Sequence, residues 1–100
     1  MSRARFIAAA RLEFLAEVLY YDEAEPGLGR RLAQAVEEAA ARALAFPLAG
    51  SPGRFNTRRV FVKDFPFALV YRPEVDGIVI FAVAHQKRRP DYWRARIPGR

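Results

Sequence analysis

Apolar residues recur along this chain with two different periods. Between residues 9 and 45 the spacing is helical: Leu12, Leu15, Ala16 and Leu19 fall three and four apart on one helix face, as do Leu28, Leu32, Ala35, Val36, Ala39 and Ala43. The first helix is expected from about Ala9 to near Glu23, closed by Tyr20 and Tyr21, with Arg11, Glu13, Glu17 and Asp22 pointing in other directions. "EPGLG" interrupts the pattern, Pro26 suits the first turn of a second helix, and that helix is expected to end near Ala45. Its alanines permit close approach of a neighbour, so residues 9–45 predict an αα-hairpin. Glu38 and Arg42 have the i,i+4 spacing of a helical ion pair. Phe14, Tyr20 and Tyr21 are expected in the core or at the helix–sheet interface.

Elsewhere the period is that of strands. Residues 3–7 (RARFI) form a short opening strand, with Phe6 and Ile7 its apolar part. "FPLAGSPGRFN" is rich in proline and glycine and reads as a loop. In "RRVFVKD" Val60 and Val62 alternate with Phe61 and Lys63, and "FPFALVYR" is aromatic and branched after a turn-forming proline. Asp76-Gly77 in "PEVDG" is a hairpin signal. "IVIFAVA" is apolar at seven successive positions, as in a strand covered on both faces. From Pro90, "PDYWRAR" predicts a terminal turn or short helix, and Ile97 to Arg100 a frayed end. The resulting order, (β)-α-α-β-β-β-(α), is an α+β fold: an N-terminal αα-hairpin on a small, mainly antiparallel β-sheet, one domain over residues 1–100.

Composition narrows the chemistry. With no cysteine and one histidine, neither a disulfide framework nor a thiolate or His-rich metal site is expected, and no cofactor is called for. No apolar run approaches a membrane span, and "MSRARFIAAARLEF" is too charged for a secretory signal, so a cytoplasmic protein with no membrane partner is the expectation. Charge is uneven. Residues 1–53 hold six Lys/Arg against seven Asp/Glu, whereas residues 54–100 hold eleven against four, a net +7. That asymmetry points to a polyanionic partner for the C-terminal half. Its densest part is "HQKRRPDYWRAR", where the sole histidine and tryptophan meet a basic cluster at the end of the apolar strand.

The joint order of "ARFIAAARLEFLAEVLYYDE", "PGLGRRLAQAVEEAAARALAFPLAG" and "RRVFVKDFPFALVYRPEVDGIVIFAVAHQKRRPDYWRAR" resembles the ParE/RelE superfamily of bacterial type II toxins, the ParE-like branch in particular. The resemblance implies the RelE/ParE-like toxin fold and a cognate antitoxin, whose acidic or amphipathic segment would cover a sheet edge or the groove of the helical hairpin. It also implies one of two activities. RelE-like members are metal-independent endoribonucleases acting on mRNA in the ribosome; here that chemistry would fall to His85, Arg88, Arg89 and Tyr92, with Tyr92 or Trp93 stacking on a base. The arginine that commonly precedes the Leu-Val-Tyr strand in that branch is Ala68 here. ParE-like members inhibit DNA gyrase by protein binding and have no catalytic residues. On that reading, the favoured one, Arg58, Arg59, Lys87, Arg88, Arg89, Tyr92, Trp93, Arg94 and Arg96 form the target-binding surface. A histidine ending a strand also has a purely structural use: orienting the turn after it, or bonding to Tyr71.

Overall fold

The computed structural model describes residues 2–99. Its elements are β1 (Arg3–Phe6), α1 (Ala8–Ala24), α2 (Leu28–Ala45), β2 (Ser51–Pro52), β3 (Arg58–Phe61), β4 (Phe67–Glu74) and β5 (Gly77–His85), with 3-10 turns at Arg54–Asn56 and Arg94–Arg96. The five strands form one sheet in the order β1-β5-β4-β3-β2, antiparallel except where β1 lies parallel to β5. The α+β fold expected from the sequence is therefore present, with the helical hairpin on one face of the sheet. Within the predicted loop lies a two-residue edge strand, Ser51–Pro52, where a proline is tolerated because the outer side needs no ladder bond.

The helix boundaries agree with the apolar period, but the buried face of α1 does not. Leu12, Leu15 and Leu19 share a face as expected, yet they are 68%, 51% and 64% exposed. The face that packs is Ala10, Phe14, Val18 and Tyr21, an equally regular i, i+4, i+8, i+11 row. Tyr20, expected inside, is exposed as well, while Tyr21 packs edge-on against Phe65 and Phe67. α2 buries the predicted row, Leu32, Ala35, Val36, Ala39 and Ala43, against the sheet.

Pro26 sits in the connection before α2, whose N-cap is Gly27 in the left-handed region. There the Asp22 carboxylate accepts the N–H groups of Gly27 and Gly29 at 3.0 and 3.1 Å, so α1 supplies the cap of α2. Gly29 is where the helices touch: a Cβ there would lie 2.4 Å from the Val18 carbonyl oxygen. Arg42 does not pair with Glu38; it donates to the Phe61 carbonyl at 2.7 Å and ties α2 to β3.

The second face of the sheet is covered by the chain's own end. Trp93 and Ile97 pack on Val70, Val79, Phe81 and Ala82. Ile97, read as part of a frayed end, is thus an anchor, and Arg100 lies outside the described residues. A β-bulge permits this second layer. Val70 pairs with Ala82 but Tyr71 with Ile80, leaving Phe81 as the extra residue. Ile78, Ile80 and Val83 face the helices, while both Phe81 and Ala82 face the tail. The phase change also puts His85 beside Phe67, its register partner, with the rings edge-on and their centroids 5.2 Å apart.

Candidate functional site

On the tail side of the sheet, the Arg54–Asn56 turn, β3 and the segment after β5 enclose a cleft of about 480 Å³. Its floor follows from strand register. Phe61 pairs with Ala68 and Ala68 with Ala84, while Arg59 pairs with Val70 in the next row. Small side chains at 68 and 84 leave the space; Arg54, Arg59, Arg88 and Arg89 line its rim. Asp91, the one carboxylate in the lining, is taken by Arg54 at 3.1 Å. The cleft is therefore apolar below and strongly cationic above.

The basic residues singled out in the sequence divide into two groups. Arg59, Arg88 and Arg89 are exposed and line the cleft, and Lys87 and Arg94 are exposed just outside it. Arg58 does not reach the same side. It lies on the opposite face of β3 and donates to the carbonyls of Leu48 and Gly50 at 2.9 Å each, holding the loop that leaves α2. Arg96 is engaged elsewhere, as described below. Trp93 stands in the second core at 6% exposure, with Phe55 edge-on to its ring, so it caps the sheet and offers no exposed anchor.

His85 is at the cleft's end with Nδ1 accepting the Lys87 N–H at 3.0 Å. That bond orients the "QKRR" turn and commits Nδ1 to the backbone. No bond joins it to Tyr71, whose hydroxyl donates to the Pro47 carbonyl at 2.8 Å.

The most connected polar group of the tail was invisible as such in the sequence. Glu13, projecting from α1, accepts four hydrogen bonds: Oε1 from the Val83 N–H (3.0 Å) and Arg96 Nη1 (2.9 Å), Oε2 from the Tyr92 hydroxyl (2.7 Å) and Arg96 Nη2 (3.0 Å). Arg96 Nη1 also donates to the Phe81 carbonyl at 3.0 Å. Burial by itself would push the Glu13 carboxyl up; the bonds from Arg96, Tyr92 and Val83, with the Arg96 charge, outweigh it and hold the group below the usual glutamate range. Burial, then the bond to Glu13 and its charge, push the Tyr92 hydroxyl far above the usual tyrosine value. The Arg88 guanidinium stacks 3.9 Å from the Tyr92 ring centre and that of Arg96 lies 5.3 Å away. A signal for Glu13 did exist: it lies in α1 off the Leu12–Leu15–Leu19 row. Its partners, seventy to eighty-three residues distant, were beyond local pattern.

Among the described residues no three His, Asp or Glu side chains converge as metal ligands would, and no helix is long and apolar enough to cross a membrane. A helical hairpin on a five-stranded sheet is also the architecture of a chain in the solved structure of the chromosomal ParDE TA system from P. aeruginosa. The two align with a TM-score of 0.73 over 85% of this chain and 96% of that one, at 19% sequence identity, a likeness of fold. The sequence model for the ParE toxin of type II toxin-antitoxin system, parDE, matches residues 5–90. The chain belongs to the ParE toxin family. Among curated proteins, no relative matches.

Proposed function

We propose that this toxin acts by binding, with DNA gyrase as its target, and that a cognate antitoxin neutralises it. The observation that carries the binding mode is what occupies the cleft. Cleavage of RNA by its own 2′-hydroxyl needs a proton acceptor, a proton donor and cationic stabilisation of the phosphorane. The cationic part is abundant in Arg59, Arg88 and Arg89. The floor position that carries an arginine in the ribonucleolytic branch is Ala68, and Tyr92 is bound to a carboxylate with its proton held tightly. His85 would be left to act alone. Gyrase is the target the ParE-like resemblance implies, and an arginine-rich surface suits an enzyme engaged with DNA because phosphate charge accompanies the protein contact.

For the antitoxin, support comes from α1. Leu12, Leu15, Leu19 and Tyr20 form an exposed apolar row along one helix, larger than the scattered apolar residues expected on a solvated face. An amphipathic antitoxin helix laid along it would bury that row. The test is a gyrase assay with antitoxin-free protein: supercoiled plasmid, gyrase and ATP, followed by detergent and protease. Gyrase-dependent accumulation of linear DNA, suppressed by the antitoxin, is expected. Normal supercoiling in the presence of the toxin would refute the target.

A further inference from the structure

The cleft also exposes a large aromatic side chain, Phe61. Phe61 ends β3 beyond the reach of the two-residue β2, on the cleft face of the sheet, and is 59% exposed. Its neighbours across the sheet, Ala68 and then Ala84, are too small to cover its ring. The Arg59 guanidinium lies 5.8 Å from the ring centre, on the same face two residues earlier. Of the other aromatic side chains lining the cleft, Tyr92 is held by Arg88 and Glu13, Trp93 by the second core, and Phe65 and Phe67 by Tyr21.

A largely exposed ring beside an apolar floor, under a rim of arginines, has the chemistry of a stacking platform. A flat π-system settles on the ring, and an anion attached to it meets the guanidinium groups. The volume, about 480 Å³, falls in the range of ligand clefts, roughly 300–1,000 Å³. An acidic peptide would use the rim but would leave the ring and the alanine floor unfilled. We infer that the cleft binds one unpaired nucleotide of a single-stranded nucleic acid, its base on Phe61 and its flanking phosphates on Arg59, Arg88 and Arg89. Gln86 also borders the cleft and can meet polar base edges. This deepens the proposed binding mode and rests on it in one respect: the cleft holds its ligand without cutting it.

The test is fluorescence anisotropy of the intact, antitoxin-free chain with short labelled oligothymidylate and oligouridylate at low and moderate salt, no gyrase present. Tighter binding of the first identifies DNA as the source of the nucleotide and of the second RNA; each supports the site. Phe61→Leu keeps the apolar bulk and removes the aromatic face, and should weaken binding roughly 5- to 150-fold, as expected for loss of a base–aromatic stack. Arg59→Gln should flatten the dependence of log affinity on log salt by about one phosphate contact. Both side chains are exposed, so unchanged thermal unfolding is expected and is checked in parallel. Absence of oligonucleotide binding, unchanged affinity in Phe61→Leu, or equal affinity for a duplex or an acidic peptide would each overturn the inference. Gyrase poisoning by a chain that binds no oligonucleotide would sink this inference alone; oligonucleotide binding with normal gyrase would sink the target reading alone.

Discussion

Replacing Glu13 should release the C-terminal segment from the sheet. Its carboxylate joins α1, the bulged part of β5 and the tail through four donors, and its side chain and that of Arg96 are only 18% and 23% exposed. Breaking a fully buried pair from one side costs about 3–5 kcal/mol, because the remaining charge is stranded. Here Arg96 can regain some water, while the Val83 N–H and the Tyr92 hydroxyl lose their acceptor, at about 1–3 kcal/mol for each group that stays dry. For Glu13→Ala we expect a loss of about 2–3 kcal/mol. At about 4–8 °C per kcal/mol for a chain of this size, the midpoint of thermal unfolding should fall by roughly 10–20 °C. Glu13→Gln, which keeps the shape but loses the charge, should lie between the two. The sole tryptophan, Trp93, is in the tail and buried, so its emission should shift to the red before global unfolding.

The acid limb provides a second readout. A folded carboxyl held below its unfolded value of 4.5 contributes stability that is complete above that value and is lost as pH falls through the lower folded one. Stability of the native chain should therefore drop across that window, and the drop should be shallower in Glu13→Gln. Urea unfolding measures both. A Glu13→Ala chain within about 0.5 kcal/mol of native, the range of ordinary surface changes, would refute the assignment of the network as a clasp.

Other expectations follow from the same geometry. Leu15→Glu with Leu19→Glu should leave the unfolding midpoint nearly unchanged, because both residues are exposed, and should weaken antitoxin binding at least about tenfold by calorimetry if the α1 row is its seat. Gly29→Ala should destabilise by about 1–3 kcal/mol in urea despite better helix propensity, since the new Cβ meets the Val18 carbonyl at 2.4 Å and backbone cannot step aside as a side chain would. His85→Ala should retain growth inhibition in an induction assay; complete loss of toxicity with the fold intact would return the histidine to a catalytic role.

Local pattern carried much of the architecture. The helical period set both helices within two residues of their observed ends, Pro26 falling just before α2 instead of in its first turn, and the turn residues set the strand breaks, because backbone preference and spacing act over a few neighbours. Charge asymmetry likewise located the basic surface: Arg59, Lys87, Arg88, Arg89 and Arg94 are exposed as expected. The alternation of Val60 and Val62 with Phe61 put Phe61 on the opposite face from the two valines; which face meets the helices was decided by packing.

What the tertiary structure decided were choices between equivalent local solutions. α1 carries two apolar rows, Leu12–Leu15–Leu19 and Ala10–Phe14–Val18–Tyr21, and a helical period is satisfied by either; packing against α2 and the sheet selected the second and left the first outside. "IVIFAVA" is apolar at every position, so it has no alternation from which a bulge could be read. Phe81 and Ala82 share a face because the bulge inserts one residue between the partners of Val70 and Tyr71, and that phase change turned His85 toward Phe67. Glu13 found Tyr92 and Arg96 only through folding, since contacts across some eighty residues depend on where whole elements come to rest. By itself, then, the sequence determined which segments are helix or strand and which half is basic. Burial, a long-range competition for limited interior, decided which apolar row stays in water and which charged side chains remain free to bind.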